Sequence, residues 1–187
     1  MIAAAAVRSA ILRAAGLALM VVALEWARAV AAQQPGLTVA ALVAGGAALA
    51  IPALMFPADR LGLGTSRLGL RLLGGVAIGA VLLLPAAVRP AAVPLISGGL
   101  AMAAVVVSIG EELAFRGALY AALEEVGGAP LAVLGSTVLW TLAHVLSHPA
   151  EFLGAVAAAG LLLALWRWAC RDLVGPILGH VIADLAL

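Results

Sequence analysis

Apolar residues run almost unbroken along this chain, and short polar or Pro/Gly breaks cut them into lengths close to a membrane span. A helix that crosses hydrocarbon needs about 20 such residues. The pattern predicts seven helices. The first covers Val7 to Ala32 and stops at Gln33-Gln34-Pro35-Gly36. The second covers Leu37 to Phe56, ahead of Pro57-Ala58-Asp59-Arg60. The third runs from Leu68 to Val88 and stops at Arg89-Pro90. The fourth starts near Val93 and extends to Glu125, before Gly127-Gly128-Ala129-Pro130. The fifth runs from Leu131 to Leu146, the sixth from Phe152 to Trp168, and the seventh from Val174 to the end. The last three are short for a span, or start in the interface. No internal repeat stands out, and the expectation is a single integral membrane domain over 1–187.

Composition sharpens this to an all-α, polytopic transmembrane bundle. Of 187 residues, 66% are hydrophobic and 10% charged, with a mean hydropathy of +1.23. Soluble domains are about 45–50% apolar and about 25% charged. The net charge is +1, and all ten basic residues are Arg. There is no basic patch, so nucleic acid is not an expected partner. The lipid bilayer is. The single Cys170 excludes an internal disulfide. Trp166 and Trp168 sit at a helix end, where interfacial anchors belong.

The arginines set an orientation. With the N-terminus cytoplasmic, Arg8, Arg13, Arg60, Arg67, Arg71, Arg167 and Arg171 lie inside, and only Arg28 and Arg89 outside. That split obeys the positive-inside rule. Helix 1 also carries features of a cleavable signal peptide: Arg8 and Arg13, an apolar core, then Ala29-Val30-Ala31. Glu25 and Arg28 near that point count against cleavage, which would leave six helices.

Setting the loop charges aside leaves Glu111, Glu112, Arg116, His144, His180 and Asp184 at membrane depth, with Glu25 nearer a helix end. A charge at a helix centre costs about 2.5–3.5 kcal/mol on insertion scales, so such groups point to function. Glu112 and Arg116 are four apart and can pair. Glu111 is rotated about 100° away and points elsewhere. Two carboxylates in unlike environments have separated pKa values, as acid–base chemistry requires. His180 and Asp184 are also four apart, so the carboxylate can orient the imidazole or share a ligand with it. His144 follows Trp140 by one turn. His148, before Pro149, reads as a loop residue. Glu and His from several helices of one bundle can activate a water, or bind a divalent metal ion such as zinc that does so. No His-Glu-x-x-His or Gly-x-Ser-x-Gly motif is present. Water attack is therefore favoured over a covalent enzyme.

These residues resemble the CPBP family (CAAX proteases and bacteriocin-processing enzymes, also called Abi). Its Glu-Glu-x-x-x-Arg motif is matched by Glu111, Glu112 and Arg116. Its Phe-x-x-x-His motif reads Trp140-Thr141-Leu142-Ala143-His144, with Trp for Phe. Its His-x-x-x-Asn/Asp motif is matched by His180 and Asp184, and the motifs all fall in the half from 93 to 187. The resemblance implies an intramembrane endopeptidase of a bacterial inner membrane, acting on a membrane-associated or membrane-emergent peptide or protein. It implies that Glu111 with His144 activates water, that Glu112 with Arg116 supports the site, and that His180 and residue 184 stabilise the oxyanion. An ionised Asp184 cannot donate as an Asn would, so its role there is to orient His180, to ligate a metal, or to donate as the protonated acid. The resemblance is compatible with a glutamate-dependent or a metal-dependent site. Two other classes fit the same residues: a transporter or proton-relay subunit, and a catalytically inactive immunity or binding protein. Straight, perpendicular helices would set Glu111 and His144 at different heights, so a shared site requires tilt or an early start of helix 4. No residue pattern indicates an oligomeric state.

Overall fold

The structure, a computed structural model, describes residues 2–84 and 96–186. Among them are helices and no strand: α1 (Ile2–Ala32), α2 (Thr38–Ala50), α3 (Leu68–Leu82), α4 (Gly98–Glu111), α5 (Tyr120–Ala143), α6 (Leu153–Cys170) and α7 (Val174–Ala186). The hydropathy breaks and the helix ends largely coincide. The expected stop at Arg89-Pro90 and the expected start near Val93 lie outside the described residues. Helix 2 is a correction in kind: Pro52 has no N–H to donate, and the chain tightens to a 3-10 turn over Ile51–Met55.

Four stretches are long and apolar enough to cross a membrane: Ala5–Ala32, Thr38–Met55, Gly98–Leu146 and Ala150–Cys170. Their outer faces carry large bare side chains such as Leu19, Leu54 and Leu134, as a lipid-facing surface requires. With no aqueous driving force between helices in lipid, close backbone approach at small residues does the packing. The two shorter helices show it. On α3, a Cβ at Gly75 would meet Leu178 Cβ at 2.7 Å, and one at Gly79 would meet Ile182 Cγ2 at 2.8 Å. The glycines let α3 and α7 lie against each other.

Gly98–Leu146 is long, yet it is not one rod. Gly127 (φ −143°, ψ 19°) and Gly128 (φ 70°, ψ −169°) leave helical geometry. The second conformation is accessible essentially to glycine alone. The chain reverses there, and Pro130 opens the returning helix. Tyr120 packs on Ala132 and Val133 across the reversal, so the stretch from α4 to Val126 and the returning part of α5 from Pro130 are the arms of an antiparallel hairpin.

Within the first arm lies a feature that hydropathy does not signal. Glu112–Leu119 is a π-helix, a rare form that recurs at functional sites. It follows directly on Glu111 and carries Glu112 and Arg116 at its first and fifth positions.

One end of the bundle collects the loop charges. Arg60 pairs with Glu125 at 2.8 Å, Arg171 with Glu124 at 2.8 Å, and Arg13 also reaches Glu125. Buried Asp172 accepts from Val174 N (3.0 Å) and Gly175 N (2.9 Å), capping α7, and from Trp166 Nε1 at 3.0 Å. Trp168 stays half exposed at that end.

The contact that sets the depth of the site is the crossing of α2 over α4. A Cβ at Gly46 would lie 2.9 Å from Val107 Cα, and a Cβ at Gly110 would overlap Gly46 O. Both neighbours are backbone and cannot swing away. Gly110→Ala is therefore expected to force the helices apart, at about 1–3 kcal/mol for overpacking. A lowered melting temperature in detergent checks this; an unchanged one contradicts the crossing.

Candidate active site

Glu111 ends α4 and points into the bundle, 2% exposed. Its Oε2 accepts a hydrogen bond from Trp140 Nε1 at 2.8 Å and lies 3.6 Å from His144 Nε2. His144 belongs to the 3-10 turn His144–Leu146 that ends α5. Its Nδ1 is 2.8 Å from Trp140 O, so the hydrogen-bond pattern assigns the proton to Nδ1 in the neutral ring. Nε2 then turns its lone pair toward Glu111. The indole of Trp140 stands edge-on to both imidazoles, 4.5 Å from His144 and 5.8 Å from His180 between centroids.

The hairpin explains why Glu111 and His144 share a level. Each lies 16 residues from the glycine turn, Glu111 before Gly127 and His144 after Gly128. The height difference expected of straight, perpendicular helices is absent, because both are measured from one reversal. At about 1.5 Å per residue the site is about 24 Å from that turn, toward the face opposite the arginine-rich end.

Glu112 and Arg116 form the second layer. Both are fully buried. Arg116 Nη1 donates to Glu112 Oε1 at 2.9 Å and Nη2 to Gly160 O at 3.3 Å. Its guanidinium lies 4.2 Å from the Trp140 ring centroid. His180, on α7, sets Nδ1 3.0 Å from Glu112 Oε1 and Nε2 3.5 Å from Asp184 Oδ2. Asp184 is the open edge of the group, its side chain 32% exposed. It accepts from Ser108 Oγ at 2.7 Å.

Three participants escaped the sequence reading. Ser108 is fully buried beside Asp184; a serine mid-helix carries no signal of such a partner. Glu25 and Arg28 are corrections: the expectation set one near a helix end and the other outside the membrane. The structure buries them, at 0% and 8% exposure, because α1 runs past the site before it ends. Arg28 Nε donates to Glu25 Oε2 at 3.0 Å, its Nη2 also contacts Glu25 Oε1, and that Nη2 lies 3.2 Å from Glu111 Oε1. His148 lies in the turn after Leu146, its ring 5.1 Å from that of His144 and stacked on Phe152.

Glu25, Glu111 and His144 each offer a ligand atom, all within 4.8 Å of one another. The donor types suit a divalent ion such as zinc. The cation that both carboxylates already contact is Arg28. A metal there would face a guanidinium bound to the same carboxylates, so these residues do not fit a metal with Arg28 in place.

The arrangement pairs a carboxylate with an imidazole lone pair at one point, and beside it a second histidine held between two carboxylates. No curated protein and no solved structure matches the chain. Residues 94–186 match the family described as type II CAAX prenyl endopeptidase Rce1-like, a stretch that runs from just before α4 through α7 and holds all six motif residues. That match, in an integral membrane protein, agrees with the motif resemblance: the half of the chain that carries the motifs is similar to the Rce1-like protease family.

Proposed function

We propose that the protein is an intramembrane endopeptidase that hydrolyses a membrane-associated peptide with water activated by Glu111 and His144. The observation that carries this is the 3.6 Å approach of Glu111 Oε2 to His144 Nε2, with His144 Nδ1 committed to Trp140 O. Two basic atoms directed at one point can each accept a hydrogen bond from a single water, which stays whole until it attacks. As that water attacks the scissile carbonyl, Glu111 takes a proton and later passes it to the leaving amine. His180, whose Nε2 lies 3.5 Å from Asp184 Oδ2, donates to the oxyanion. Glu112 and Arg116 hold His180 through Nδ1. Asp184 orients His180 rather than donating itself. The chemistry proceeds without a metal, since Arg28 occupies the cationic position.

The positive-inside rule supports a cytoplasmic N-terminus, with Arg8, Arg13, Arg60, Arg67, Arg71, Arg167 and Arg171 toward the inner face. The site then opens toward the outer half of the membrane. The CAAX prenyl endopeptidase family points to C-terminal CAAX peptides bearing a prenyl group. A membrane-anchored peptide without that lipid is the wider class.

The test is reconstitution with membrane-tethered peptides, one set carrying a prenylated C-terminal CAAX sequence and one without. The expected result is cleavage by the wild-type chain, none by Glu111→Ala, and strong loss in His144→Ala and His180→Ala. Cleavage should persist with a zinc chelator. Cleavage that survives all three substitutions would sink the assignment. Inhibition by chelator with recovery on added zinc would overturn the metal-free chemistry. A proton flux abolished by the same substitutions, with no cleavage, would favour a proton-relay protein.

A further inference from the structure

We infer that Glu25 and Arg28 of α1 are positioning residues for Glu111, so that the site is completed by a helix outside the family-matched segment. The inference rests on the reading of Glu111 as the base. Glu111 has two oxygens with separate tasks. Oε2 faces Trp140 and His144, where the water is activated. Oε1 faces Arg28 Nη2 at 3.2 Å. Without that contact the carboxylate is held on one side only, by Trp140, and can turn out of the plane in which Oε2 approaches His144.

Arg28 is itself held. Glu25 takes its guanidinium through two nitrogens, Nε at 3.0 Å and Nη2. A fork of this kind sets the plane of the guanidinium as well as its place. Glu25 is fully buried, and a buried carboxylate left unpaired would be costly. The pair is thus rigid, and its remaining contact is aimed at Glu111.

A second observation comes from α2. A Cβ at Gly45 would lie 2.5 Å from Arg28 Cγ and 2.7 Å from Arg28 Cβ. These atoms are at the root of the side chain and cannot swing aside. Gly45 is the space through which the Arg28 stem passes between α1 and α2. Glu25 and Gly45, on two helices in the half without a family motif, therefore both set the place of Arg28, which meets one oxygen of Glu111.

The experiment compares wild type with Arg28→Gln, Arg28→Lys, Gly45→Ala and the double variant Glu25→Gln/Arg28→Gln. Melting in detergent and cleavage of the membrane-tethered peptide are both measured. Arg28→Gln strands two buried carboxylates and should lower the melting temperature by about 10 °C. The double variant removes both charges and should recover most of that loss. Its kcat should stay about 10–100-fold below wild type, with KM within about twofold, as for loss of a group that orients a functional one. A purely structural role would return kcat together with stability. Arg28→Lys keeps the charge but not the fork and should fall between wild type and Arg28→Gln. Gly45→Ala changes no charge and should lower kcat by displacing Arg28.

A folded double variant with wild-type kcat overturns the inference. Should the double variant not fold, wild-type kcat in both Arg28→Lys and Gly45→Ala overturns it. Should the wild-type chain cleave neither peptide set, the peptidase reading fails by itself, and melting alone decides the contact. Arg28→Gln should then cost less in a Glu111→Gln background than in wild type; an equal cost overturns it.

Discussion

Glu111→Gln is expected to lower kcat/KM by about 10²–10⁴, the range lost with a general base, while the protein stays folded. The amide oxygen still accepts from Trp140 Nε1, which lies 2.8 Å from Oε2 in the wild type, or from Arg28 Nη2 at 3.2 Å from Oε1. What glutamine cannot do is take a proton. The substitution therefore separates the base from the scaffold, which alanine would not, because alanine also strands the indole N–H. His144→Ala should cost less on this reading, since the carboxylate still accepts the proton. Initial rates on a tethered peptide, with melting curves recorded on the same samples, check it. Activity within tenfold of wild type in a folded Glu111→Gln variant would remove Glu111 from the chemistry.

Arg116→Ala should hit stability hardest. The guanidinium is fully buried. It donates to Glu112 Oε1 at 2.9 Å and to Gly160 O at 3.3 Å, and lies against the Trp140 ring at 4.2 Å. Removing one partner of a buried pair costs about 3–5 kcal/mol, mostly because the other charge is stranded. Loss of a desolvated cation–π contact adds about 2 kcal/mol. Together these approach the whole stability of an ordinary domain, about 5–15 kcal/mol. The expected result is a collapse in folded yield after extraction into detergent. Arg116→Ala combined with Glu112→Gln should regain part of it, because the stranded carboxylate is gone. A single variant that melts like wild type would show that Glu112 does not depend on Arg116. A double variant no better than the single would show that the stranded charge is not the main loss.

Much of the bundle was legible because its cues are local. The break at Gly127-Gly128 needed only two glycines and a proline, and the turn is there. The i, i+4 spacing of Glu112 with Arg116 and of His180 with Asp184 returns as contacts of 2.9 Å and 3.5 Å. The level of Glu111 with His144 was within reach too. Both stand 16 residues from the turn, a count that locates each on its arm once the arms are known to be antiparallel. The π-helix over Glu112–Leu119 was not legible, since nothing in its run of mostly good helix formers separates it from an α-helix. Glu25 and Arg28 were misplaced for a related reason. How deep a charge sits depends on where its helix enters and on what crosses it, and α1 has 31 residues to place.

The sequence by itself determined that this chain is a helical membrane bundle, where its helices break, and which charges on a single helix share a face. Each of these depends on neighbours within a few residues, through hydrophobic burial and the helical repeat. The tertiary structure alone decided that Glu25 and Arg28 meet Glu111, that Trp140 serves Glu111 as well as His144, and that Ser108 reaches Asp184. Those contacts depend on how closely helices approach, and that distance is set by glycines such as Gly45, Gly46 and Gly110 against particular backbone and side-chain atoms. A glycine's position is visible in the sequence, but what it faces exists only once two helices have crossed.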